Sequence, residues 1–257
     1  MSLMLAEMTW PEVERAIAAG MTTVILPMGA TEQHGPHLPL GTDTFRAASL
    51  TEGLSGALPE ALVAPVLPVG CSDEHTGFPG LLSLDHETLA RLIVDCGRRI
   101  AAWGVRRLVL LSAHGGNGEA LELARTRLQE QASGLEIRIL TSSTALSEAF
   151  AAVAAAAGIS PDDVGLHAGE GETSEMLHLR PELVRMDRAA AGYAGSMSEV
   201  MPRLRAVGLR GVTPTGTLGD PRAACASRGA KYLAAEIDGY RRTLATEADP
   251  RFEVVAR

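Results

Sequence analysis

The chain has 257 residues, 46 % hydrophobic but only 4 % aromatic, a length suited to one large α/β domain whose core is filled by Leu, Val, Ile and Ala. Its net charge of −8 and the lack of any Lys/Arg-rich run argue against a nucleic-acid surface, and no apolar stretch reaches the roughly 18 residues a membrane helix needs. The first twenty residues lack a signal peptide's charged-then-apolar order, and Cys71, Cys96 and Cys225 give neither a disulfide framework nor a CxxC zinc site, so a reduced cytoplasmic setting is expected.

Trp10 to Ala19 reads as a short helix, with Thr9 as its cap, Pro11 in the first turn and Glu12 three residues beyond the cap. Thr22 to Met28 is a β-branched apolar run bounded by glycine, and reads as a buried strand. It runs directly into Gly29-Ala-Thr-Glu-Gln-His-Gly-Pro-His-Leu-Pro-Leu-Gly-Thr-Asp43. Gly35, Pro36, Pro39 and Gly41 prevent regular helix or strand there, so Glu32, His34, His37 and Asp43 sit on a bent, stiff loop. Glu, His and Asp together are the ligand set of Zn, Mn or Fe.

Thr44 to Leu54 is helical in pattern. Ala61 to Val69 is a second apolar run, interrupted by Pro65 and Pro68, and it ends in Gly70-Cys-Ser-Asp-Glu-His-Thr-Gly77. Thr88 to Trp103 is the clearest helix, its apolar face formed by Leu89, Leu92, Ile93, Cys96, Ile100 and Trp103. Gly104 stops it, and Val105 to Leu111 forms a strand that ends in Ser112-Ala-His-Gly-Gly-Asn117. A helix over Glu119 to Gln131 and a strand over Leu135 to Thr141 follow. Ala149 to Gly158 is alanine-rich and is expected to be a surface helix or mobile connection. Repeated strand–loop–helix units predict a three-layer α/β/α fold with a mainly parallel central sheet, in one domain spanning residues 1–257. Ligands bind at the carboxyl ends of such strands, and Glu32, His34, His75 and His114 all follow apolar runs read as strands.

A third polar cluster is His167-Ala-Gly-Glu-Gly-Glu-Thr-Ser174. Glu170 and Glu172 there suit a helix N-terminus or a metal, and the choice between them as a ligand stays open. A dinuclear centre needs five or six protein ligands, one of them a bridging carboxylate; Glu32, His34, Asp43, His114 and Glu172 supply five. Two divalent ions sharing a water would lower its pKa and polarise a carbonyl oxygen. Hydrolysis then needs a proton donor for the leaving nitrogen, and His167 is the candidate. No GxSxG elbow, GxxxxGK[ST] or strand-linked GxGxxG occurs, which disfavours serine hydrolases and phosphate loops. Cys71 is the one cysteine placed to act as a nucleophile. His37 would brace a ligand or its own loop, Glu74 and His75 would line the pocket, and His86 and His178 would serve helix ends.

With those residues in hand the chain resembles the creatininase family. The likeness is carried by Thr31 through Asp43, His114-Gly-Gly-Asn117, His167 through Ser174 and Gly219-Asp-Pro221. The resemblance implies an α/β fold, two divalent metal ions per subunit (Zn, Mn or Fe), hydrolysis of a C–N bond and a homo-oligomer, often a hexamer. It also implies that Glu32, His34, Asp43 and His114 are metal ligands with Asp43 the bridge, and that His167 transfers protons. Glu172 would be a ligand or a close acid, with His75, Gly115, Gly116 and Asn117 toward the substrate. Members that open creatinine carry a Tyr-Glu pair where this chain has Gly115 and Gly116, which argues against creatinine itself. The stretch from Met201 to Pro221 resembles the branch of the family that trims the mycofactocin precursor peptide, implying release of a C-terminal dipeptide. The expected substrate is therefore a small-molecule amide or a short peptide, and a non-catalytic metal-binding scaffold is the alternative from another class.

Overall fold

The computed structural model describes residues 3–56, 58, 60–141, 150–193, 195 and 197–246. Five strands form its sheet: β1 (Leu3–Met4), β2 (Thr23–Met28), β3 (Ala61–Val63), β4 (Arg107–Ser112) and β5 (Glu136–Thr141). They lie in the order β1-β3-β2-β4-β5 with every pairing parallel. Helices α1 (Trp10–Ala18), α2 (Thr42–Ser55), α3 (His86–Ala102) and α4 (Gly118–Gln131) make the crossovers. After the last strand come α5 (Glu170–Leu179), α6 (Met197–Val212) and α7 (Ala226–Thr246). No helix among the described residues is long and apolar enough to cross a membrane.

The central strands β2, β3 and β4 are buried on both faces, as the continuous apolar runs predict, whereas β5 alternates buried and half-buried residues. Val24, Leu26, Met28, Leu108 and Leu110 pack on one face against Leu89 and Ile93 of α3 and Leu121 and Leu128 of α4. Their neighbours Ile25, Val109 and Leu111 pack on the other face against Leu50 and Leu54 of α2 and Leu233 and Tyr240 of α7. This two-residue alternation produces the three layers. From β2 the chain crosses through α2 to β3 on one side, then through α3 back past β2 to β4. The reversal leaves a crevice at the carboxyl ends of β2 and β4, where Met28 is paired with Ser112.

Local signals set the helix starts. Thr9 and Glu12 complete a capping box at α1, with the Thr9 N–H donating to Glu12 Oε2 at 2.7 Å. Asp85 caps α3 by accepting from the Thr88 N–H at 2.7 Å, so that helix begins two residues earlier than its apolar pattern indicates.

Two expectations change. The strand expected over Ala61 to Val69 stops at Val63, and beyond it only Leu67 bridges to Met28. Pro65 and Pro68 have no N–H to give the ladder. The alanine-rich stretch is helical over 150–156 (Ala149 lies outside the described residues). It is not simply a surface helix: Phe150 and Ala154 are buried, and the Phe150 ring stacks on Tyr232 at 4.3 Å between centroids.

Candidate metal centre

The loop leaving β2 carries Glu32, His34 and Asp43 into the crevice, where each is at most 2 % exposed, and the residues after β4 bring in His114. Asp43 opens α2 and Glu172 lies in the first turn of α5. His34 Nδ1 is 3.3 Å from the Glu32 carbonyl oxygen, which can only accept, so Nδ1 carries a proton and Nε2 is the nitrogen turned to the carboxylates. Nε2 stands 3.3 Å from Asp43 Oδ1 and 3.9 Å from Glu172 Oε2. His114 shows the opposite arrangement: Nε2 donates to the Cys71 carbonyl at 2.8 Å, and Nδ1 lies 3.2 Å from Asp43 Oδ2. Glu32 Oε2 is 3.4 Å from His114 Nε2.

Asp43 thus turns one carboxylate oxygen toward His34 and the other toward His114. Two sets of potential ligand atoms result, Glu32–Asp43–His114 and His34–Asp43–Glu172, each within 4.8 Å of one another; a third set joins Glu32, His34 and His167. Glu32 Oε2, His34 Nε2 and Asp43 Oδ2 are buried and make no hydrogen bond among the described residues. An unsatisfied buried polar atom costs about 1–3 kcal/mol, so three on facing groups are the signature of a site built for a cation. The outer contacts fit as well, because the nitrogen that each ligand-type histidine turns away is held by a backbone carbonyl.

Charge separates the groups. Burial alone would lower His34 and His114, but Asp43 and Glu172 push His34 up to about 9, and Glu32 and Asp43 push His114 up to about 10. Burial raises Glu32 to about 7. Asp43 is held well below the usual carboxylate range, its burial outweighed by His34 and His114. Burial and the nearby His34 push His167 down to about 4, leaving a neutral imidazole at pH 7. A polypeptide kink aims this ring: Ala168 has a φ of 52°, and its N–H donates to Glu172 Oε2 at 2.7 Å.

Of the other residues read from the sequence, Glu170 is spoken for by Ser174, Arg228 and Tyr232, so Glu172 is the acid that reaches the cluster. His75 is buried between Gln33 and Glu32, which leaves neither ring nitrogen for a substrate. Asn117 is wholly buried: its amide donates to Gly29 and Ser112 and accepts from the Cys71 N–H, which pins three loops together. Gly115 is exposed with open space around it, whereas Gly116 presses on Cys71 and His114. His37 bonds Thr173 at 2.9 Å, bracing its loop against α5 rather than touching a ligand atom. His86 is the first residue of α3 and faces Glu119 at 3.4 Å; His178 lies in the last turn of α5. The Cys71 thiol is buried and pushed up to about 11 by burial, which removes it as a nucleophile.

Sequence reading missed Arg46, which is wholly buried. It donates to Glu175 at 2.5 Å, to Glu172 Oε1 at 3.2 Å and to the Ala113 carbonyl at 3.1 Å, with Glu236 at 3.6 Å. It fixes one oxygen of Glu172 and leaves the other toward His34. Helical spacing was the available signal, since Arg46 follows Asp43 by three residues and Glu175 follows Glu172 by three.

The sequence profile of the creatininase family, described as creatinine amidohydrolase, matches residues 6–244. The chain belongs to the creatininase family. A mycofactocin precursor peptide peptidase of Mycobacterium ulcerans is 36 % identical over 90 % of this chain and 83 % of its own length. A creatinine amidohydrolase of Pseudomonas putida is 34 % identical over 73 % of this chain and 75 % of its own. Among solved structures, a Mn creatininase superposes with a TM-score of 0.80 at 29 % identity, over 97 % of this chain and 100 % of its own. A mutant creatininase of Zn-Zn type gives 0.80 at 28 % over the same shares. Creatininase-family proteins hydrolyse amide bonds, and this chain is a hydrolase acting on C–N bonds. The expected three-layer fold with a parallel sheet is also the fold of these neighbours.

Proposed function

We propose that the chain is a two-metal amidohydrolase acting on the amide of a short peptide. The observation that carries this reading is Asp43, whose two carboxylate oxygens face two separate ligand sets. Glu32, Asp43 and His114 would hold one divalent ion, and His34, Asp43 and Glu172 the other. Ions held there supply an activated water and polarise the substrate carbonyl. The protein orders the reaction around them. Glu32, His34 and Asp43 form the dry floor, whereas Glu172 and His167 are 18 % and 11 % exposed and mark the open side. His167 is neutral when substrate arrives. It takes the proton of the attacking water at Nδ1 and returns it to the departing nitrogen, which would otherwise leave as an unstable amide anion.

A peptide is favoured over a small ring by two observations. The mycobacterial relatives named as peptidases match more of the chain than the creatinine amidohydrolase does. Exposed Gly115, with no described residue within 4 Å of a Cβ built there, also stands where creatinine-opening members carry a tyrosine. Elemental analysis and peptide hydrolysis test the reading together. About two ions per chain, their loss in Asp43→Ala, and cleavage of a mycofactocin-precursor-type peptide in preference to creatinine are expected. Full turnover by protein that retains no metal would refute it.

A further inference from the structure

We propose that Gln33 is a positioning residue: through its side-chain amide and its own carbonyl it sets which ring nitrogen carries the proton in both His75 and His167. The inference rests on the proposed function for the use made of His167, but its geometry stands apart from that reading.

Gln33 lies between two ligand-type residues and is buried. Its Oε1 accepts from the Gly35 N–H at 2.8 Å, and its Nε2 faces the Gly216 carbonyl at 3.2 Å. A donor at one end and an acceptor at the other fix the amide's orientation without ambiguity. The turn at Gly216 closes on this amide so tightly that a Cβ there would sit 2.0 Å from Oε1.

The amide nitrogen has two hydrogens and three close neighbours: the Gly216 carbonyl, His75 Nδ1 at 3.1 Å and His167 Nε2 at 3.1 Å. His167 Nε2 also lies 2.7 Å from the Gln33 carbonyl oxygen, which can only accept. His167 Nε2 must therefore carry a proton and donate it to that carbonyl, and so it cannot accept from the side chain. The two amide hydrogens go to the Gly216 carbonyl and to His75 Nδ1. His75 then bears its proton on Nε2, which points at Glu32 Oε1 across 3.2 Å. His167 is left with a lone pair on Nδ1, 3.8 Å from the same oxygen. One residue thus makes His75 a donor that orients Glu32 and makes His167 a base at Nδ1 on the cluster side. The rings of His75 and His34 stand 4.7 and 4.2 Å from that of His167, so a change of tautomer in one is felt by the others.

The test uses zinc-loaded protein with nitrogen-15-labelled histidine, comparing the parent with Gln33→Glu and Gln33→Met. Glutamate keeps an acceptor for Gly35 but has no hydrogen for His75; methionine keeps the size without either. In the parent, both His75 and His167 should show Nε2 protonated and Nδ1 unprotonated. In both variants His75 should shift toward protonation at Nδ1. Peptide turnover should fall by about 10–100-fold in kcat, as for other residues that orient a metal site, with KM and zinc content near the parent values. A parent with either His75 or His167 protonated at Nδ1 instead of Nε2, or variants whose His75 signal matches the parent's, would overturn the inference. Absent turnover in the parent would count against the proposed function alone, since the tautomers are read without it.

Discussion

Replacing Gly116 by alanine would place a methyl carbon 2.2 Å from the Cys71 carbonyl oxygen and 2.4 Å from His114 Nε2. Both distances lie more than about 1 Å inside ordinary van der Waals contact. The methyl would sit against the two atoms that make the 2.8 Å bond holding His114. The Cys71 segment cannot easily withdraw, because its N–H is held by the buried Asn117 at 2.9 Å. The histidine must swing, turning Nδ1 away from Asp43. Overpacking costs about 1–3 kcal/mol, and a buried donor left without its acceptor about 1–3 more. Stiffening the unfolded chain returns about 0.4–1 kcal/mol. The net loss is about 1–6 kcal/mol, with zinc affinity down about 10–100-fold. Gly115→Ala is the control: its Cβ meets nothing within 4 Å, so stability should stay within about 0.5 kcal/mol of the parent. Urea unfolding of metal-free protein and zinc titration against a chromogenic chelator read both quantities. Equal behaviour of the two variants would refute the close packing of Gly116 on the His114 clamp.

Three further expectations follow from the charges. His34 and His114, held at about 9 and about 10, are protonated in metal-free protein at pH 7, so zinc must displace protons to use them. Calorimetry in buffers of different ionisation enthalpy should show about two protons released per chain at pH 7 and fewer near pH 10. Because both folded pKa values lie above the ordinary 6.5, their stabilisation is complete below that pH and is lost as pH rises through about 9 to 10. The metal-free protein should therefore melt lower at pH 10 than at pH 7, and an unchanged midpoint would contradict the assignment. Arg46→Met removes the cation from among Glu172, Glu175 and Glu236 and should cost about 3–5 kcal/mol. Arg46→Lys should not rescue it, since an ammonium cannot span Glu175, Glu172 and the Ala113 carbonyl together. Unfolding of Arg46→Met within about 1 kcal/mol of the parent would show the network to be idle.

Where chemistry is local, the sequence was legible. The apolar runs of β2 and β4 and the three-and-four spacing of α3 made these elements readable, because each buries a face whose period is written in adjacent residues. The proline-broken run after β3 was harder: hydropathy continued past Val63 while the capacity to hydrogen-bond did not. The polar residues at strand ends pointed to the site for the same topological reason that placed it there, since parallel strands deliver successive loops to one edge. Arg46 gave only its three-residue spacing from Asp43. An arginine three residues along a helix from Asp43 reads as an ordinary solvated charge until Glu175 and Glu236 arrive from α5 and α7 to enclose it.

By itself, then, the sequence determined the fold class and named the candidate ligand-type side chains, because backbone stiffness, hydrophobic period and the chemistry of Glu, His and Asp are properties of short segments. Only the tertiary structure showed that Glu170 is bonded to Tyr232 while Glu172 faces His34, that Asn117 is tied to Ser112, and that Gln33 sits against His75. Those outcomes depend on distances of a few ångströms between residues carried by separate segments, such as His34 with Glu172 and Gln33 with His75. Which neighbour a polar atom meets there depends on how α5, α7 and the turn at Gly216 pack against the β2 loop.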